Sequence, residues 1–279
     1  MPKPSPHFQR VGIVYNPDKE QAYTESVRLK RWLQQRKIKA HGGTRVTSPM
    51  KDCQFVVALG GDGTVLRVAR DVSAWNVPVL GVNVGRLGFL AATELQAMYR
   101  TLSRVLSGEC RVENRTMVSV SGVSRGKTFG PYLALNDCVL RSGATGRVLR
   151  LSATVRGRLL AHYCGDGLIV ATPTGSTAYN LAASGPIVYP ALDVLILSPI
   201  SPHTLAQRPL VLPTFEIISV EVTRPGPSAI LCLDGQVTET LWPGDRIEIR
   251  RAAEQAQLLT DPDRTYYQVL QTKLKWGAA

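Results

Sequence analysis

The chain has 279 residues, 44% hydrophobic and 19% charged, proportions of one or two folded domains and not of a disordered or fibrous chain. No apolar stretch is long enough to cross a bilayer as a helix. No signal-peptide core follows Met1-Pro2-Lys3-Pro4, so residues 1–7 read as a loose proline-rich lead-in and the expected location is the cytoplasm. The net charge of +12 comes mostly from arginine and suits a polyanionic partner: nucleotide, polyphosphate, nucleic acid or acidic lipid. No Lys/Arg block and no zinc-finger spacing supports a nucleic-acid tail or finger.

In chain order, Val11 to Tyr15 is a short apolar run stopped by Asn16-Pro17, and Ala22, Ser26, Leu29 and Leu33 follow at helical spacing. The apolar stretch Phe55 to Ala58 enters Leu59-Gly60-Gly61-Asp62-Gly63-Thr64, with a helix predicted from Thr64, as its cap, to Val72. A strand is expected over Val77 to Val82. Thr93 is the predicted cap of a helix whose apolar face is Leu95, Met98, Leu102, Val105 and Leu106, ended by Gly108. This alternation predicts a parallel sheet with ligands at the carboxyl ends of its strands, where Asp62 lies. From about Arg111 short alternating stretches take over: Met117 to Val120, Tyr132 to Leu135, Leu149 to Val155, Ile217 to Val222, Ala229 to Leu233 and Arg246 to Arg250. They read as an all-β domain. Thr172 to Tyr179 interrupts it with a loop and a short helix ended by Gly185-Pro186, and the final segment, Tyr266 to Trp276, is apolar and basic. Gly122 to Thr128 imitates a P-loop but has three residues between its glycines where four are needed, and it reads as a hairpin turn. Five scattered cysteines, Cys53, Cys110, Cys138, Cys164 and Cys232, none in a Cys-x-x-Cys pair, predict free thiols.

The run through Asp62 carries the strongest chemical signal. Three glycines let backbone N–H groups approach an anion, and the following helix N-terminus adds positive potential. Phosphates would repel a carboxylate there unless it handles a proton or a metal. The run resembles one carried by kinases of several unrelated substrate classes, and that resemblance implies phosphoryl transfer while leaving the acceptor open. A solvated Asp in a tight turn is the plain alternative. A second run, Gly165 to Tyr179, ends an apolar strand in a hydroxyl-rich loop containing Thr174 and Thr177, which suits a phosphate or a ribose, with Tyr179 able to stack on a base. An ordinary capped helix start fits the same residues. Asn136-Asp137 pairs an amide with a carboxylate, as binding two ribose hydroxyls requires, but taken alone it reads first as a turn. Leu233-Asp234-Gly235-Gln236 likewise reads first as a hairpin.

Taken in order, these pieces resemble the bacterial-type NAD kinase family over nearly the whole chain. The matching segments are Gly60 to Thr64, Asn83-Val84-Gly85-Arg86-Leu87-Gly88-Phe89, Asn136-Asp137 and Asp166 to Tyr179, then Pro202-His203-Thr204-Leu205, Arg208-Pro209, Asp234-Gly235-Gln236 and the tail Tyr267 to Trp276. The resemblance implies an enzyme that phosphorylates the 2′-hydroxyl of the adenosine ribose of NAD to give NADP. The donor would be ATP or polyphosphate, with Mg2+ or another divalent cation arriving on it and no metal ligands dedicated by the protein. It implies Asp62 as the catalytic proton acceptor, Asp62, Gly63 and Arg67 beside the nucleotides, and Asn136 and Asp137 on the adenosine side. Arg147, Asp166, Thr174, Thr177, Ala178, Tyr179, Asn180, Leu181, Ala182 and Gln236 would line the dinucleotide site. The implied fold is a Rossmann-like α/β domain with a parallel sheet over residues 1–112, a β-sandwich dinucleotide-binding domain over 113–252, and a tail, 253–279, returning to the first domain. The acid and the ribose-binding groups would thus come from different domains, in a homo-oligomer, dimer or tetramer, with no nucleic-acid or membrane partner.

Two positions depart from the family pattern. Asp137 stands where the acid is usually Glu, shortening its reach by roughly 1.5 Å, and Cys164 stands where many relatives carry a basic residue. A lipid kinase shares the glycine-rich run but leaves Asp166 to Tyr179 without a purpose. A non-catalytic nucleotide-binding module suits the charge but not the retention of Asp62 among its glycines.

Overall fold

The computed structural model describes residues 8–85, 88–143, 147–204 and 206–276. The lead-in 1–7, and Arg86, Leu87 and Leu205 of the family motifs, lie outside the described residues. The chain forms two units, Met1–Asn114 with Ala256–Ala279, and Arg115–Gln255.

The first unit begins with β1 (Arg10–Tyr15), α1 (Glu20–Gln35), β2 (Lys39–Gly43), β3 (Phe55–Gly60), α2 (Asp62–Val72), β4 (Val79–Asn83), β5 (Thr93–Glu94) and α3 (Met98–Leu106). Its sheet is parallel in the order β2-β1-β3-β4. Alternate residues of β3 explain the layering. Phe55, Val57 and Leu59 share a core with Ala22, Leu29 and Leu33 of α1 and Met98, Leu102 and Val105 of α3. On the other face, Gly81 of β4 comes so close to Val65 of α2 that a Cβ would stand 2.9 Å from its methyl. The sheet is therefore covered by helices on both sides, which is why its central strands are apolar throughout.

Two predicted caps are corrected. α2 starts at Asp62 with Gly61 as its N-cap, and Thr64 sits inside the first turn, where its side chain fills the space that a Cβ on Gly60 would need. Thr93 lies in β5, and its hydroxyl meets that of Thr101 at 3.0 Å; α3 begins only at Met98.

The second unit is built from β6 (Arg111–Ser124), β7 (Lys127–Ala134), β8 (Asp137–Ser142), β9 (Leu149–Val155), β10 (Arg158–Gly165), β11 (Gly167–Ala171), α4 (Tyr179–Ala182), β12 (Val194–Ile200), β13 (Leu210–Pro213), β14 (Ile218–Val222), β15 (Ala229–Leu233), β16 (Val237–Leu241) and β17 (Arg246–Thr260). One antiparallel sheet runs β13-β12-β11-β8-β15-β16; in the other, β10-β9-β14-β17 continues to β6 and β7. Inward residues of both, such as Leu140, Leu168 and Leu231 against Leu151, Val220 and Ile247, fill one core. The outer face of the first sheet buries Ile169, Ala171 and Ile196 against Val188, so the segment after β11 is laid across that face. The false P-loop is a two-residue hairpin: Ser124 pairs with Lys127, and Arg125 and Gly126 both have positive φ, as a type I′ turn requires.

β17 extends ten residues beyond the predicted Arg246 to Arg250 and ends in the first unit, where Leu258 pairs in parallel with Val79 of β4. α5 (Tyr266–Leu274) follows, buries Val269 and Leu270, and starts with a capping box between Thr265 and Gln268.

Candidate functional site

In the first unit, β1 and β3 are neighbours whose outgoing connections lead in opposite directions, to β2 and to β4. A parallel sheet opens a crevice at such a switch point, beyond the carboxyl ends of the strands. The crevice is present as a cavity of ≈ 340 Å³ between the loop Asn16–Lys19 and Gly61, Gly63, Thr64 and Arg67. Lys19 Nζ donates to the Val84 carbonyl, and a Cβ at Gly61 or Gly85 would stand 3.9 or 3.5 Å from it. Arg67 Nη2 donates to Thr44 O at 3.0 Å. Two cations, the glycine backbone and the N-terminus of an eleven-residue helix surround one opening, with Asp18 beside them, an arrangement able to accept an anion.

Asp62 is the first residue of that helix. Its carboxylate accepts the Phe89 N–H at 2.7 Å and the Leu90 N–H at 3.1 Å, which fixes both oxygens. A Cβ on Gly88 would overlap this carboxylate, so the glycine is required by the close approach.

In the second unit, Asp137 starts β8 where β11 ends, pairing with Ala171, and Asn136 lies just before it. The turn that presents them is organised by Asp234, whose carboxylate accepts Leu135 N–H at 2.9 Å, Asn136 N–H at 2.7 Å and Asp137 N–H at 3.2 Å. On the other side, Thr172 N–H donates to Asn136 O at 2.9 Å and Thr172 Oγ1 to Leu135 O at 2.5 Å; a Cβ on Gly175 would strike the Asn136 carbonyl. Asp137 is 5% exposed. Burial and the Asp234 charge push its carboxyl up to about 7, opposed by the N–H of Tyr179.

Of the other predicted residues, Thr174 is buried and its hydroxyl has no partner among the described residues. Thr177 Oγ1 turns back to Thr174 O at 3.4 Å. Asn180 is fully buried, giving its amide to Ser176 O and Pro186 O and accepting from Ser198 at 2.6 Å, so its side chain builds the loop from within. Ala178 precedes α4, which carries Tyr179, Leu181 and Ala182, and Tyr179 is 45% exposed. Gln236 is exposed on the β15–β16 turn. Arg147 and Asp166 line a cavity of ≈ 500 Å³ with Arg141, Ser142, His203 and Tyr179, the residue whose N–H reaches Asp137. Arg141 stands four residues along β8 from Asp137, roughly 14 Å at 3.4 Å per residue. Tyr179 and Ala182 also border a third cavity, of ≈ 570 Å³, with Arg208. Lys19 carries no signal in the sequence beyond the Asn-Pro break after an apolar strand, and Asp234, within the family-matching Asp234-Gly235-Gln236, reads there only as a turn.

Comparisons agree on one family. Family models described as ATP-NAD kinase N-terminal domain and ATP-NAD kinase C-terminal domain match residues 43–110 and 135–260. An NAD kinase of Syntrophobacter fumaroxidans is 38% identical over 284 residues, 98% of this chain and 100% of the relative. One from Geotalea daltonii is 44% identical over 227 residues, 81% of this chain and 80% of the relative. Among solved structures, an NAD kinase from Archaeoglobus fulgidus in complex with ATP aligns with a TM-score of 0.80 at 26% identity, covering 96% of this chain and 99% of that one. Yeast NADH kinase complexed with NADH shares the fold, with a TM-score of 0.87 at 22% identity over 98% of this chain and 89% of that one.

Proposed function

The chain belongs to the NAD kinase family, and we propose that it transfers a phosphoryl group from ATP to the 2′-hydroxyl of the adenosine ribose of NAD, giving NADP. The observation that carries this reading is Asp62, a carboxylate with both oxygens fixed by backbone amides, set in the chain between Gly61 and Gly63, which line the proposed anion site. A carboxylate with a reference pKa of about 4 cannot strip an alcohol in the ground state. In a loose phosphoryl-transfer transition state the attacking oxygen loses its proton late, so Asp62 orients the hydroxyl and accepts the proton as the P–O bond forms. Lys19, Arg67 and the amides around Gly61 and Gly63 hold the donor's phosphates and stabilise their charge. Asn136 and Asp137 bind the ribose hydroxyls; Thr174 supplies its unpartnered hydroxyl, and Tyr179 offers a face for the base. Arg147 and Asp166 bind a more distant part of the dinucleotide.

Among the residues lining the anion site there is one carboxylate, Asp18, beside two cations. That donor set is too poor in oxygen to hold Mg2+ alone, so the ion would be carried by the donor's phosphates, whose charge it would neutralise. ATP is favoured as donor by the ATP complex of the Archaeoglobus fulgidus relative, and polyphosphate is the second donor to assay. We also infer a homo-oligomer. β13 is an edge strand, and its exposed Leu210 and Val211, together with Phe215 and Leu192 nearby, form an apolar margin that a second copy would cover. Five unpaired cysteines fit a reducing cytoplasm.

Incubation with NAD, Mg2+ and either donor, with NADP read by an NADP-specific dehydrogenase, tests the activity. NADP formation is expected. Phosphorylation of diacylglycerol or sphingosine with none of NAD would overturn the reading.

A further inference from the structure

The tail contributes a side chain to the segment that holds Asp62. Arg264 lies one residue before the cap of α5. Its Nη1 donates to Ala91 O at 3.0 Å and Ala92 O at 3.2 Å. The two preceding residues, Phe89 and Leu90, give their N–H groups to the Asp62 carboxylate. Four consecutive residues are thus held from both sides: two amides face the acid and two carbonyls face the guanidinium. Ala92 N–H donates to Gly81 O at 2.9 Å, which fastens the far end of the segment to β4.

The arrangement is costly for Arg264. Its Nη2 is buried and makes no hydrogen bond among the described residues. Burial weakens the guanidinium's hold on its proton, and the carboxylates of Glu94, Asp62 and Asp261 act against this. An arginine serving only to close the tail would be expected to satisfy its donors or leave them in water.

We propose that Arg264 is a positioning residue for phosphoryl transfer: by bracing the carbonyls of Ala91 and Ala92 it holds the Phe89 and Leu90 amides where they fix the Asp62 carboxylate. The tail thereby acts on the chemical step without touching either substrate. This rests on Asp62 being the proton acceptor, so the test first requires NADP formation by the unaltered protein. If that fails, the functional reading is at fault and not the role of Arg264.

With turnover established, Arg264→Met, Arg264→Lys and the control Thr265→Ala are compared. The control loosens the start of α5 and leaves Arg264 in place. Arg264→Met should lower kcat on the order of 10²-fold, the effect of misplacing a reacting group by about 1 Å. KM for NAD and ATP should stay within about twofold, because no substrate-binding group is lost. Arg264→Lys keeps the charge but reaches one carbonyl where arginine reaches two, so it should recover part of the loss. Thr265→Ala should keep kcat. Circular dichroism at the assay temperature identifies folded variants. A folded Arg264→Met with kcat within twofold of the unaltered protein, or with raised KM and unchanged kcat, overturns the proposal. So does an equal kcat loss in Thr265→Ala. If Arg264→Met does not fold, Arg264→Lys decides: a several-fold lower kcat supports the role, and an unchanged kcat overturns it.

Discussion

The proton acceptor proposed here, Asp62, has both oxygens fixed before any substrate arrives, by the Phe89 and Leu90 amides. Gly88 makes that approach possible. Gly88→Ala is therefore expected to displace the carboxylate and lower kcat by at least about 10²-fold, with NAD affinity by calorimetry unchanged. At Asp137 the electrostatics give a different prediction. Its carboxyl, pushed up to about 7 by burial and by Asp234, binds its proton more tightly in the native state than in the unfolded chain, where the value is about 4. The stabilisation this group contributes is complete below about pH 4 and is lost as the pH rises through about 7. Asp137→Asn removes the titration. The melting temperature of the unaltered protein should fall relative to that of the variant between pH 5 and pH 8, and parallel melting curves across that range would refute the assignment. Asp62 was legible in the sequence because three glycines and an apolar strand frame it. Lys19 was not, since a lone lysine after Asn-Pro looks the same whether it faces water or a phosphate. Asp234 was hidden for another reason: the amides it holds are 97 to 99 residues away, and an Asp-Gly pair reads as a turn by itself.

Among the elements, strands were read better than helix starts. Alternation in Leu149–Val155 and Ala229–Leu233 records which face is buried, so it survives in the sequence. Threonines before helices are ambiguous, because a hydroxyl can cap, pack or pair. Thr64 packs over Gly60 and Thr93 pairs with Thr101, whereas Thr265 is a cap. Thr265→Ala should cost about 1 kcal/mol of stability, seen as a lower denaturation midpoint. The connection between β7 and β8 depends on the β15–β16 turn through Asp234. Asp234→Ala strands three amides of that connection. Hydrogen bonds to a charged group are worth about 1.5–3 kcal/mol, so NAD affinity should fall by at least roughly tenfold. Calorimetry showing unaltered affinity would mean that Asp234 supports only the turn.

For the whole molecule, fold class was legible because alternating strands and helices give way to short strands near Arg111, and the two patterns bury residues at different periods. The return of the chain to the first unit left no such trace. The later half of β17 has no clean alternation, and only the family resemblance of the tail implied the return. The substrate, too, is legible only by resemblance: glycines around an acid are shared by kinases of several substrate classes, while the family pattern that implies a dinucleotide is scattered from Asn136 to Gln236. The functional account stands on one exchange, Asp62→Asn, assayed with NAD, Mg2+ and ATP, with NAD affinity measured alongside. The unaltered protein should form NADP phosphorylated at the adenosine 2′ position, identified by phosphorus NMR. The variant should lose about 10²–10⁴-fold in turnover and still bind NAD. Turnover of the variant within a few-fold of the unaltered protein, or a phosphate at any other position of the product, would contradict the account.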